Sequence, residues 1–236
     1  MARVDEAEIR RFWNARARED PFYFVDTRQP YKAPDPDRFW DSEPLLDYIL
    51  DELGVRVSAG DTVLEIGCGI GRITRALAGR TKEVIALDIS DEMLRQAREL
   101  NPQLANVRWM LGDGASLAGV ADHSVDACVS TVVFQHLPKS ELAFRYVQEI
   151  GRVLRPRGWA ALQVSNDPQV HRYRDTLWMR AKALIGRAPA GRRHPAWLGS
   201  PIELPDLEAA AGQSDLDLER VWGQGTQYCQ VLLRRR

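Results

Sequence analysis

Between about residues 61 and 165 short apolar runs alternate with amphipathic stretches. The runs are Thr62 to Ile66, Glu83 to Leu87, Val107 to Leu111, Val125 to Thr131 and Trp159 to Val164. Each is bounded by turn residues, as buried strands are. Between the first two, Ile73, Ala76 and Leu77 show helical spacing that stops at Gly79. After the second, Ser90 is placed to cap a helix reaching about Leu100, with Asp91 and Glu92 in the first turn where the helix dipole favours anions. After the fourth, Leu142, Tyr146, Ile150 and Leu154 recur every four residues and mark one buried helix face. This alternation predicts βαβ units and a mostly parallel sheet. Leu216 to Trp222 and Tyr228 to Leu233, separated by Gly223 and Gly225, predict an antiparallel pair that completes it.

The ends depart from this pattern. Eight of the chain's 19 aromatic residues precede residue 41 (Phe12, Trp13, Phe22, Tyr23, Phe24, Tyr31, Phe39 and Trp40). They predict a helical flap over residues 1–44, which either only packs on the sheet domain or closes over a ligand. The sheet domain then spans residues 45–236. Residues 166–205 form an insertion after the fifth strand, and between His171 and His194 seven Lys/Arg (Arg172, Arg174, Arg180, Lys182, Arg187, Arg192, Arg193) stand against the single acid Asp175. That patch is either a solvated helix face or a surface for an acidic substrate group or anionic partner.

Composition narrows the class. The 236 residues carry 32 Lys+Arg against 33 Asp+Glu, a formal net charge of -1, which removes any global electrostatic case for nucleic acid or membrane binding. Cys68, Cys128 and Cys229 are too widely spaced for a zinc site and too few for a disulfide framework, so no metal and a reducing, cytoplasmic setting are expected. The charged start and the lack of any long apolar run predict neither an export signal nor a membrane span. Oligomeric state is not legible.

Chemistry concentrates in Glu65-Ile66-Gly67-Cys68-Gly69-Ile70-Gly71-Arg72. Three alternating glycines between a strand and a helix let the backbone turn tightly and approach a ligand where a Cβ would collide. Arg72 stands where the nicotinamide and flavin fingerprint needs its third glycine, which argues against a dinucleotide. Asp88 ends the next strand, where a carboxylate can accept hydrogen bonds from both ribose hydroxyls.

This segment resembles motif I of the class I S-adenosylmethionine-dependent methyltransferases, particularly the small-molecule group called type 11. Asp88 resembles that family's ribose-binding acid, and Ile89 its apolar shelf under the adenine. Leu111-Gly112-Asp113-Gly114-Ala115 resembles the loop whose aspartate accepts from the adenine amino group. Residues 126–137 resemble the fourth strand and its exit, and Leu154 to Trp159 the turn into the fifth. The likeness is detailed over about residues 61–165 and a matter of pattern over 203–233. It implies a Rossmann-like, doubly wound seven-stranded α/β sheet, mostly parallel with an antiparallel C-terminal strand. It implies S-adenosyl-L-methionine as cofactor and S-adenosyl-L-homocysteine as product, with Glu65, Gly67, Cys68, Gly69, Gly71, Asp88, Ile89, Asp113, Gly114 and Thr131 as cofactor-binding residues.

The exit of the fourth strand lacks the Asn/Asp-Pro-Pro-aromatic motif of amino-methylating DNA enzymes, and no Pro-Cys pair offers a thiolate. Nucleic-acid bases are therefore disfavoured as acceptors, and methyl transfer to O, N or C of a small metabolite or natural product is expected. His136 is the candidate general base, because an ordinary imidazole titrates near neutral pH and the family's comparable Gln-His-Leu segment borders the substrate side. Its alternative role is a cap or packing residue. Cys68 and Cys128 read as inert buried thiols. The competing functions are a non-catalytic methyltransferase-like partner subunit, and an RNA or protein methyltransferase docking through its basic insertion and Arg234-Arg235-Arg236.

Overall fold

The computed structural model describes residues 5–172 and 188–236. Arg174, Arg180, Lys182 and Arg187 of the basic patch lie outside the described residues. The strands are β1 (Thr62–Ile66), β2 (Glu83–Asp88), β3 (Val107–Leu111), β4 (Val125–Ser130), β5 (Leu154–Val164), β6 (Leu216–Trp222) and β7 (Cys229–Arg235). They form one seven-stranded sheet in the order β3-β2-β1-β4-β5-β7-β6. All neighbours up to β5 pair in parallel, and β7 runs antiparallel to both β5 and β6. The doubly wound fold expected from the sequence is the fold observed.

Local chemistry sets the crossovers. Helix α5 (Arg72–Ala78) follows the glycine loop, and α6 (Asp91–Leu100) starts at Ser90, whose hydroxyl accepts from the Met93 amide at 3.0 Å. Helix α7 (Ser140–Val153) buries the predicted stripe, including Leu142, Tyr146 and Ile150. The fifth strand begins at Leu154, earlier than the sequence indicates. Its Arg155-to-Gly158 turn is absorbed as a register shift opposite Val125 and Ala127, with Arg157 at φ 67°. Pro156 donates no ladder hydrogen bond, and such irregularities are where a strand tolerates it.

Among the described residues four helices precede β1: α1 (Glu6–Glu19), α2 (Pro21–Val25), α3 (Pro36–Trp40) and α4 (Glu43–Leu53). Leu46, Ile49, Leu50 and Leu53 of α4 join α5 in covering one sheet face. The other face is covered by α7, by α9 (Leu204–Gly212) and by Ile9 and Phe12 of α1. A short helix, α8 (Pro195–Leu198), lies between the fifth strand and α9.

Two helix-bearing connections leave the sheet in opposite directions at β1 and β4. In open α/β sheets the crevice outside the carboxyl ends of strands at such a switch point is where ligands bind. Among the described residues no helix is long and apolar enough to cross a membrane.

Candidate active site

The cleft at the switch point begins with Glu65, the penultimate residue of β1. It is buried, and it accepts a hydrogen bond from the Thr74 hydroxyl of α5 at 2.6 Å. Burial pushes its pKa up to about 7; the Thr74 bond and the Arg72 charge pull the other way, and Asp88 adds to the rise. Gly67 and Gly69 follow at φ 74° and 55°. A Cβ on Gly67 would collide with Val133, and one on Gly69 would lie 2.7 Å from Val25 Cγ2. Gly71 has a different reason to be glycine: a Cβ there would meet Trp109 and Asn101 at 2.8 and 2.9 Å. Gly71 caps α5 and packs against the sheet; it does not line the cleft.

Asp88 forms the next wall. Its Oδ2 accepts from the Gly69 amide and its Oδ1 from the Ser90 amide, each at 2.8 Å. Burial raises its pKa to about 6 against these amide bonds. Ile89 lies over the β3 loop, where a Cβ on Gly114 would come 2.5 Å from Ile89 Cδ1. Asp113 is placed differently from its neighbours: it is exposed and does not line the cleft. Its Oδ1 accepts from the Ala115 and Ser116 amides at 2.8 and 2.7 Å, and its Oδ2 from the Ser116 hydroxyl.

The exit of β4 supplies Thr131, Val132 and Val133, followed by a 3-10 turn at Phe134–His136. Val132 has φ 59°, a left-handed backbone at a β-branched residue. His136 is half-buried, and its Nδ1 lies 2.7 Å from the Trp197 carbonyl oxygen. A carbonyl can only accept, so Nδ1 carries the proton and Nε2 is the acceptor, taking a 3.2 Å hydrogen bond from Gln135 Nε2. Burial lowers the His136 pKa to about 4, so the ring is neutral at neutral pH.

Helices α1 and α2 roof the cleft with Ile9, Trp13, Phe24 and Val25. Asn14 latches α1 to the start of α6. Its Nδ2 donates to Asp91 at 2.6 Å, and its Oδ1 accepts from Ser90 Oγ at 2.6 Å and the Glu92 amide at 3.2 Å. Arg10 donates to the Gly112 carbonyl at 2.8 Å.

A second, larger cavity of about 1470 Å³, open mouth included, adjoins the first and shares Phe24, Val25, Arg72, Val132 and His136 with it. Arg72 sits at this junction, buried, 3.5 Å from Asp26, with its Nε unpartnered among the described residues. In the sequence Arg72 signals only a missing glycine. Tyr146, expected from its spacing only to pack, also reaches the first cavity from α7, and Gln135, Gln163 and Gln230, not among the expected site residues, line the second. Of the residues expected from sequence, Glu65, Gly67, Cys68, Gly69, Asp88, Ile89, Gly114, Thr131 and His136 line the first cavity together. Cys68 and Cys128 are buried with thiol pKa values raised by burial. Among the described residues no group of three or more His, Cys, Asp or Glu is placed to hold a metal ion.

This geometry has a family counterpart. Residues 64–162 match a methyltransferase domain family, Methyltransf_11. Over that segment the chain carries a methyltransferase domain of the class I S-adenosylmethionine-dependent type 11 group. The chain is 40% identical over 116 residues to the biotin biosynthesis bifunctional protein BioHC of Cellvibrio japonicus, covering 49% of the chain and 21% of that relative. It is 34% identical over 172 residues to the trans-aconitate 2-methyltransferase of Azoarcus sp., covering 67% of the chain and 65% of the relative. The chain thus spans less than two thirds of either protein's length. Its fold resembles that of Haemonchus contortus phosphoethanolamine N-methyltransferase 1, solved with phosphoethanolamine and S-adenosylhomocysteine (TM-score 0.70, 16% identity, 97% of this chain, 48% of that one).

Proposed function

We propose that this methyltransferase binds S-adenosylmethionine in the first cavity and methylates O, N or C of a small molecule held in the second. The observation that carries this reading is the direct junction of the two cavities at His136 and Val132. When bound, the cofactor supplies a methyl group already activated by a sulfonium, so alignment and exclusion of water are the protein's main contributions.

The residues fit the cofactor's chemistry. Gly67 and Gly69 hold backbone where no Cβ fits. Asp88 is the carboxylate for the ribose hydroxyls, and Ile89 and Gly114 form the apolar slot beside it. Glu65 is placed for the cofactor's ammonium. Arg72, only partly neutralised by Asp26, is placed for its carboxylate. Trp13, Phe24 and Val25 shut water from the junction. Where the acceptor is a hydroxyl or ammonium, His136 Nε2 is the group that takes its proton, displacing the Gln135 amide that donates to it, since Nδ1 is committed to Trp197. Buried free cysteines suit a reducing cytoplasm. An intact cleft with both acids in place favours an enzyme over a non-catalytic subunit.

The test is S-adenosylhomocysteine production from S-adenosylmethionine across an acceptor library. Acceptor-dependent product supports the reading. A protein that binds the cofactor but gives no product with any acceptor favours the non-catalytic alternative.

A further inference from the structure

The floor of the second cavity is built from three strands. Gln163 of β5 stands directly opposite Gln230 of β7, and Gln230 opposite Trp222 of β6. Directly opposed residues present their side chains to the same face. The row Gln163, Gln230, Trp222 therefore lies on one side of the sheet, where all three line the cavity. Both glutamines are only 4% exposed, and both sit in strands that are otherwise apolar here, next to Val164 and Val231.

The two amides are not equally satisfied. Gln163 Nε2 donates to Gln135 Oε1 at 3.2 Å, and Gln135 Nε2 in turn donates to His136 Nε2 at 3.2 Å. Gln230 Oε1 has no partner among the described residues, and its Nε2 makes only a 3.5 Å contact with the Tyr228 carbonyl. A buried amide left unpaired is destabilising, and an aliphatic residue would fill the same place in β7 without that cost. A carboxamide kept in that position is explained by a ligand that completes it.

The walls are flat. Trp197 stacks on His136 with ring centres 5.0 Å apart, and Tyr48 of α4 meets Trp222 edge to face at 5.3 Å. Tyr228 stands at the rim, 54% exposed. Among the described lining residues Asp26 answers two guanidinium groups: it accepts two 2.8 Å bonds from Arg28, and Arg72 faces the same carboxylate from the cofactor side, so the one positive charge in excess is the one assigned above to the cofactor's carboxylate. His171 is held by Leu198 and Ser165, with its pKa lowered by burial.

We propose that the acceptor is a planar aromatic or conjugated molecule whose neutral hydroxyl or amide group pairs with Gln230, not a carboxylate or phosphate ester. This rests on the methyl-transfer reading above. In the hydroxyl case the acceptor oxygen bonds the methyl carbon, sulfur keeps the electron pair of the broken C–S bond, and the hydroxyl proton leaves to His136 Nε2 and then to solvent.

Calorimetry with S-adenosylhomocysteine comes first; failure to bind sinks the methyl-transfer reading itself. With binding established, turnover is compared among hydroxylated flat aromatics (hydroxycoumarins, hydroxyquinolines, flavonols), carboxylates (trans-aconitate, cinnamate) and phosphoethanolamine. The expected result is methylation of the hydroxylated class. Gln230→Leu should raise the acceptor KM about tenfold or more, because a site built to hydrogen-bond a polar group loses it, while the S-adenosylhomocysteine Kd stays within about twofold. Trp222→Leu, at a partly exposed position, should raise the same KM should Gln230→Leu not fold. The proposal is overturned if cofactor binds but no hydroxylated aromatic is bound or methylated, if carboxylates or phosphoethanolamine are the preferred acceptors, or if neither variant moves KM.

Discussion

His136 donates from Nδ1 to the carbonyl of Trp197 at 2.7 Å, across 61 residues of sequence, and this one bond decides which ring nitrogen can accept a proton. It leaves Nε2 as the basic nitrogen at the junction of the two cavities. With its pKa lowered to about 4 by burial, the ring is neutral above that value. For a hydroxyl or ammonium acceptor, kcat in His136→Ala is expected to fall roughly 10²-fold or more, the range for a positioned general base, with S-adenosylhomocysteine affinity within a few-fold of wild type. The His136 contribution to the kcat profile should be level through neutral pH and be lost only as pH falls toward 4. An unchanged kcat would return His136 to packing.

Glu65 and Asp88 carry protons at pH values where free carboxylates do not, with pKa values of about 7 and about 6. Because both are raised in the folded state, the protein alone loses stability from them as pH climbs from the ordinary carboxylate range near 4 through 7. Ribose hydroxyls and a cationic amine favour the ionised forms, so cofactor binding should release protons below pH 7. Affinity is expected to rise from pH 5 to 7 and then level. Calorimetry in two buffers of different protonation enthalpy measures the release, which Glu65→Gln should diminish. Proton uptake would contradict this assignment.

Asn14 ties the roof helix to the sheet domain through three hydrogen bonds. Asn14→Ala should cost roughly 1–2 kcal/mol of stability and speed S-adenosylhomocysteine dissociation several-fold, as read by stopped-flow fluorescence. An unaltered off-rate would show that α1 packs on the domain without closing the cleft.

Val132 holds a left-handed backbone, which for a β-branched residue stores strain on the order of 1–3 kcal/mol. Val132→Gly removes that strain and also removes the side chain that lines both cavities. The melting temperature should hold or rise while kcat/KM falls by about tenfold. A clear drop in melting temperature would mean that packing by the valine outweighs the strain.

The fold and much of the first cavity were legible in the sequence because their requirements are written in residue type. Only glycine tolerates the backbone at Gly67 and Gly69, and an acid closing an apolar strand stands out at Asp88. Other features depend on register. Gln163 and Gln230 are far apart in sequence, and only the β5–β7 pairing sets them side by side. A glutamine inside each of two apolar runs was the available signal. Arg72 becomes meaningful only once Asp26, from the N-terminal helices, is folded against it. Asp113 was legible as a residue but not in orientation, since its carboxylate is turned into its own loop by the Ala115 and Ser116 amides.

The most direct measurement is calorimetric titration of the wild-type chain and Asp88→Ala with S-adenosylhomocysteine. Asp88 accepts from the Gly69 amide and is the carboxylate proposed for the ribose, so the wild type should bind with a micromolar or tighter Kd and Asp88→Ala at least about tenfold more weakly, a loss of roughly 1.4 kcal/mol. No binding by the wild type, or equal binding by a folded Asp88→Ala, would contradict the assignment of this cleft to the cofactor.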